Sequence, residues 1–128
     1  MPNEVVLDAS AVLALLKREP GAERVRAVLD RATIGAVNAA EVQGKLIDLG
    51  FSRHEAEARI RFLGCSIQTF NDVQAIEAGS LIALTRNVGL SLGDRACLAL
   101  AIGRKATVYT TDRAWKDLAL DIQIEVIR

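Results

Sequence analysis

Aromatic residues make up only 4% of this 128-residue chain, so its core must be built from Ala, Val, Leu and Ile. Histidine occurs once, at His54, in a polar helix start far in sequence from the acids that fall at helix junctions. No Ser or Cys elbow accompanies it, so a nucleophilic triad is not expected. No Gly-rich phosphate loop and no CxxC zinc spacing is present. Charge of one sign is not in excess either: 16 Lys and Arg balance 16 Asp and Glu. Such a chain carries no strongly basic surface, which weighs against nucleic-acid binding by overall charge. No apolar run is long enough to span a membrane. No signal peptide opens the sequence, so Cys65 and Cys97 are expected as buried free thiols in a reducing, cytoplasmic compartment. Linkers, repeats and low-complexity stretches are absent, and one domain over residues 1–128 is expected.

What is there reads as a folded α/β chain, with 51% hydrophobic and 25% charged residues. Short apolar runs at Asn3–Leu7, Thr33–Val37, Ser66–Phe70, Ala106–Tyr109 and Ile122–Ile127 read as strands. Helices are predicted between them. One runs over Ser10–Lys17. The apolar spacing of Ala22, Val25, Val28 and Leu29 predicts a second over Ala22–Arg31. Asn38 opens a third to Leu49, stopped by Gly50. Ser52 with Glu55 forms a capping box for a fourth, ending near Gly64. Asn71 or Asp72 caps a long helix through Thr85, and Ser91 caps another from Leu92 to about Gly103. A short helix follows Asp112. Strands alternating with helices predict a three-layer α/β/α sandwich around a central parallel sheet of about five strands.

Four acids fall at junctions where helices begin: Asp8 in VVLDAS, Glu41 in AVNAAEV, Asp94 in LSLGDRACLALA and Asp112 in VYTTDRAW. Each has a purely local explanation. Asp8 and Asp112 fit N-caps. Glu41 stands three residues after Asn38, and Asp94 three after Ser91, as in capping boxes. A parallel sheet, however, brings the carboxyl ends of its strands to one edge, and ligands bind in that crevice. Were the four acids to meet there, they would form an oxygen-only anionic cage suited to Mg²⁺ or Mn²⁺ and to phosphoryl chemistry. Capping and metal binding are compatible, because a helix N-terminus stabilises the ionised form a metal requires. Ser10, two after Asp8, and Thr110, two before Asp112, are placed to hydrogen-bond these carboxylates or a bound water. Glu23, Asp30, Glu55 and Glu57 lie among arginines on predicted helices and read as solvated faces. Asp117, near Lys116 and Asp121, also reads as surface.

Over essentially its whole length the chain resembles the PIN-domain ribonucleases, and within them the VapC-type toxins of toxin–antitoxin pairs. The likeness rests on VVLDASAVLALL with Asp8-x-Ser10, AAEV around Glu41, SLGDRACLALA around Asp94, and VYTTDRAW around Asp112. The resemblance implies a sheet of order 3-2-1-4-5, with Asp8 and Asp112 associated with adjacent central strands. It implies cleavage of RNA phosphodiesters with Mg²⁺ or Mn²⁺, a homodimer, and silencing by a small antitoxin that inserts a segment into the acidic groove. Asp8 and Asp94 are then the first choice as direct metal ligands. Glu41 and Asp112 complete the cage, directly or through water, and one of them orients or deprotonates the attacking water. Arg95, Arg113 and Lys116 flank the site and would contact phosphates locally. Two other readings remain. A phosphatase of haloacid-dehalogenase type would use Asp8 as nucleophile, but Ser10 stands where its general acid is needed. A non-catalytic PIN-like binding module, with the acids acting only as caps, would sequester RNA or a protein partner.

Overall fold

The computed structural model describes residues 3–128. Strands β1 (Val5–Leu7), β2 (Ala32–Gly35), β3 (Ser66–Gln68), β4 (Thr107–Thr110) and β5 (Ile124–Val126) form one sheet. Their order is β3-β2-β1-β4-β5, and each neighbouring pair is parallel. This is the 3-2-1-4-5 order implied by the sequence resemblance. The helices are α1 (Ala9–Leu16), α2 (Ala22–Arg26), α3 (Ala36–Asp48), α4 (Arg53–Phe62), α5 (Asp72–Ser80), α6 (Ile82–Thr85) and α7 (Leu92–Arg104).

The central strand explains the layering. Val5, Val6 and Leu7 are all buried, and alternate residues of a strand point to opposite faces. Val5 and Leu7 pack with residues of α1 to α4, among them Val12, Leu15, Val25, Val42, Leu46 and Ile60. Val6 packs on the other face with Cys97, Leu98 and Leu100 of α7, Ala78 of α5, and Trp115. A strand covered on both sides reads as a continuous apolar run. Full burial of each such side chain contributes roughly 1.5–3 kcal/mol.

Several boundaries differ from the sequence expectation, each for a local reason. The helix expected over Ala22–Arg31 ends at Arg26, and a 3₁₀ turn over Leu29–Arg31 carries the chain into β2. Ala22, Val25 and Val28 are still buried. A spacing of three suits a 3₁₀ turn as well as an α-helix, so the periodicity did not separate them. The long helix expected through Thr85 is split into α5 and α6 at Leu81. Gly79 and Ser80 are poor helix formers, and the Ser80 hydroxyl donates to the Ile76 carbonyl at 2.8 Å, a bond that bends helices. Strand β2 stops at Gly35, and α3 begins at Ala36 with no side-chain cap. Asn38 therefore lies inside the first turn of α3 and does not cap it. Cys97 is buried as expected, whereas Cys65 is only half-buried.

Candidate active site at the carboxyl edge of the sheet

Asp8 follows the last residue of β1 and caps α1. Its backbone has left the helical region (φ −80°, ψ 173°), and its carboxylate accepts from the Ala11 N–H. The side chain is also held from both flanks. Ser10 Oγ donates to Asp8 Oδ1 at 2.7 Å, and Thr110 Oγ1, from the end of β4, donates to Asp8 Oδ2 at 2.5 Å. These hydroxyls are themselves fixed, since Ser10 Oγ accepts from the Thr111 N–H and Thr110 Oγ1 from the Asp112 N–H, both at 3.0 Å. Adjacent parallel pairing of β1 and β4 sets this geometry. Both hydroxyls named from the sequence thus touch Asp8.

Asp8 is only 4% exposed. Burial pushes its carboxyl up from 3.8 to about 6, against the hydrogen bonds from Thr110, Ser10 and Ala11, which favour the ionised form. The negative charge of Asp94 adds to the upward push. Among the described residues, neither Asp8 nor Glu41, Asp94 or Asp112 takes part in any ion pair; every paired acid is another residue.

Glu41 and Asp94 approach from α3 and α7. Asn38 Nδ2 donates to Glu41 Oε1 at 2.8 Å and to the Gly93 carbonyl at 3.1 Å. The Glu41 carboxylate lies directly on Gly93, where any Cβ would overlap it. The capping-box reading of Glu41 is thus corrected: its carboxylate is gripped by the Asn38 amide, across to the first turn of α7. The reading of Asp94 as a capping residue holds. Its backbone N–H donates to Ser91 Oγ, and its Oδ2 accepts from the Ser91 N–H at 3.0 Å. Asp112 also caps, accepting from the Ala114 N–H at 3.0 Å.

Cys97, one helical turn past Gly93 and fully buried, lies beneath this mouth. Burial pushes its thiol well above the usual range, and the charges of Asp8, Asp94 and Glu41 push the same way. Three of the four acids therefore converge, with Asp8 as the buried floor, Asp94 half-buried and Glu41 exposed at the rim. Asp112 is exposed; its backbone N–H donates to the Thr110 hydroxyl that holds Asp8, while its carboxylate is engaged with the Ala114 N–H. The arrangement is open: among the described residues, no three Asp, Glu, His or Cys side chains stand close enough to hold an ion as they are. Of the flanking cations, Arg95 donates to the Ala78 carbonyl at 3.0 Å, and its Nε is buried without a partner. Arg113 Nε donates to the Arg128 carbonyl, and Lys116 is exposed.

Gly93 was not singled out from the sequence, and Asn38 was read only as a helix cap. Asn38 is 2% exposed, and its Oδ1 has no hydrogen-bond partner. An orphan buried acceptor costs on the order of 1–3 kcal/mol. Gly93 did leave a trace: a glycine inside the first turn of a helix costs about 1 kcal/mol relative to Ala, and a packing reason is the usual one.

A parallel sheet with Asp8, Glu41, Asp94 and Asp112 near its carboxyl edge, none of them in an ion pair among the described residues, is an open α/β fold with a candidate acidic site. The chain belongs to the PIN-domain family, whose model matches residues 5–120. No curated protein matches it by sequence. Among solved structures it is similar to VapBC from Salmonella typhimurium bound to DNA, with TM-score 0.74, 17% identity, and coverage of 96% of this chain and 97% of that one. It is also similar to VapBC2 from Rickettsia felis bound to a DNA fragment from their promoter, with TM-score 0.72, 19% identity, and 94% and 96% coverage. VapBC-5 from Mycobacterium tuberculosis, of the VapBC family of toxin–antitoxin systems, gives TM-score 0.64 at 22% identity and 99% coverage of both chains. At such identities these likenesses are ones of fold. Among the described residues, no helix is long and apolar enough to cross a membrane.

Proposed function

We propose that this PIN-domain chain is a metal-dependent endoribonuclease and the toxin of a type II toxin–antitoxin pair. The observation that carries this reading is the convergence of Asp8, Glu41 and Asp94 on one mouth in which none has an ion-pair partner. The donor set fits a hard divalent cation. It is carboxylate oxygen throughout, and the absence of a side chain at Gly93 is what lets the Glu41 carboxylate lie there. Asp8 and Asp94 are assigned as direct ligands of Mg²⁺ or Mn²⁺, with Glu41 and Asp112 completing the set directly or through water. The bound cation would supply Lewis-acid charge against the negative charge that develops on the phosphate as it is attacked.

The chain's own groups do the rest. Ser10, Thr110 and the Ala11 N–H hold both Asp8 oxygens, fixing the floor of the site before any ligand arrives. Glu41 or Asp112, at the solvent rim, orients the attacking water and takes its proton. Lys116 and the free nitrogens of Arg113 meet neighbouring phosphates. Arg95, already tied to α5, serves less directly. The open mouth suits a polymer laid across it.

The fold likeness to VapBC complexes supports a small antitoxin as partner, for which an Arg entering this unpaired acid cluster is the natural contact. A homodimer is supported by Val73, Ile76 and Leu84, exposed at helical spacing along α5 and α6. The same reading carries a cytoplasmic setting. One observation favours the binding-module alternative: Asp8, Asp94 and Asp112 all act as caps. Cleavage of RNA by the purified chain separates the two. The nuclease cuts with Mg²⁺ or Mn²⁺, stops when the cation is chelated and resumes when it is restored; the module binds without turnover under every condition.

A further inference from the structure

We infer that Asn38 is a positioning residue: its amide locks the Glu41 carboxylate onto the first turn of α7. The proposal deepens the metal-dependent reading and rests on it for its consequence, though not for its geometry. Both atoms the amide NH₂ meets, Glu41 Oε1 and the Gly93 carbonyl oxygen, accept only. The orientation of the amide is thereby fixed, and its own Oδ1 is left buried and unpartnered beside Gly35. An amide kept at the expense of one orphan atom is kept for the two bonds it donates. The first is local to α3, and the second joins residues 55 positions apart in sequence, α3 to α7.

Three features make this a device for the site more than a core contact. Glu41 is exposed, so without a tether its carboxylate would sample several rotamers in solvent. Gly93 has no side chain to displace it, and the carboxylate fills the vacancy. Asp94, the next residue, is held in its own capping box, so fixing Glu41 on Gly93 also fixes it relative to Asp94. Residues that orient ligands in this way alter metal affinity about 10–100-fold when removed.

The test has two arms, using Asn38→Ala and the milder Asn38→Ser in the full chain. In the first, crystal structures without metal are compared. The Glu41 carboxylate is expected to leave Gly93 in the variants. If it stays there in both, the inference is overturned. In the second, Mn²⁺ binding is measured by calorimetry. Asn38→Ala is expected to weaken it about 10-fold in the native background and less than about twofold in a Glu41→Gln background, since non-additivity marks action through a shared partner. An equal loss in both backgrounds overturns the inference, because Asn38 would then act independently of Glu41. Absence of Mn²⁺ binding by the unsubstituted chain refutes the metal reading instead, and the first arm then decides the role of Asn38 alone.

Discussion

Glu4 and Asp8 flank the same three-residue strand, and the chain treats them in opposite ways. Glu4 meets Arg104, whose Nε lies 2.9 Å from both carboxylate oxygens and whose Nη2 lies 2.7 Å from one. That guanidinium holds the Glu4 carboxyl below its usual range. Asp8 is buried more deeply and is given no cation at all, so its carboxyl rises to about 6. Folding alone would favour the first arrangement at both ends, since an unpaired buried charge is costly. The contrast separates an acid paired with a cation of the chain from a buried acid that has none.

The largest way to break the comparison is chemical. Asp94→Asn keeps shape and cap geometry but removes a charge the metal needs. It is expected to leave a folded protein whose RNA cleavage falls at least ~10²-fold, about 2.7 kcal/mol of transition-state stabilisation. Near-normal cleavage by the folded variant would remove Asp94 from the site.

The next concerns stability and pH. Because the folded Asp8 carboxyl titrates near 6 and the unfolded one near 3.8, the native state binds this proton more tightly. Both states are protonated below about 3.8, so no penalty exists there. As pH rises towards about 6, the unfolded chain ionises first and native stability falls by about 3 kcal/mol, then stays level. Asp8→Asn removes that penalty. Losing a well-aligned bond to Thr110 costs about 1 kcal/mol, so the metal-free variant is expected to be about 2 kcal/mol more stable at neutral pH. The advantage should shrink as pH falls from about 6 towards 4. Urea titrations across that window measure it, and an Asp8→Asn protein less stable than its parent at pH 7 would mean the buried charge is compensated.

The smallest effect belongs to the other end of the strand. Glu4→Gln breaks a partly exposed ion pair, so it should cost no more than about 1 kcal/mol and leave cleavage unchanged. A large loss of cleavage would show that the two ends are not separate in role.

Only the Asp8 half of this contrast was legible in the sequence. The strands around Asp8 and Asp112 announce themselves as apolar runs followed closely by an acid, and Ser10 sits two residues from Asp8, near enough for local spacing to predict their contact, whereas the Thr110 bond to Asp8 spans 102 residues and depends on the pairing of β1 with β4. Asn38 was misread because N-x-x-E imitates a capping box, and only the observed stop of β2 at Gly35 moves the helix start ahead of it. Its bond to Gly93 spans two helices that no local pattern links. Glu4 was not singled out either, because its partner Arg104 lies 100 residues away. Such long-range pairings depend on sheet order, which for this chain came from its resemblance and not from periodicity.

The central claim, that the acids at the carboxyl edge await an external divalent cation, is tested most directly by melting curves at neutral pH. Millimolar MnCl₂ is compared with NaCl of equal ionic strength. A cation that binds only the native site adds RT ln(1 + [L]/Kd), about 2.7 kcal/mol at a hundredfold excess over Kd. The account predicts a higher melting temperature in MnCl₂ alone, with a smaller gain in Asp8→Asn and Asp94→Asn. Equal melting curves in the two salts would contradict it and leave the acids as helix caps.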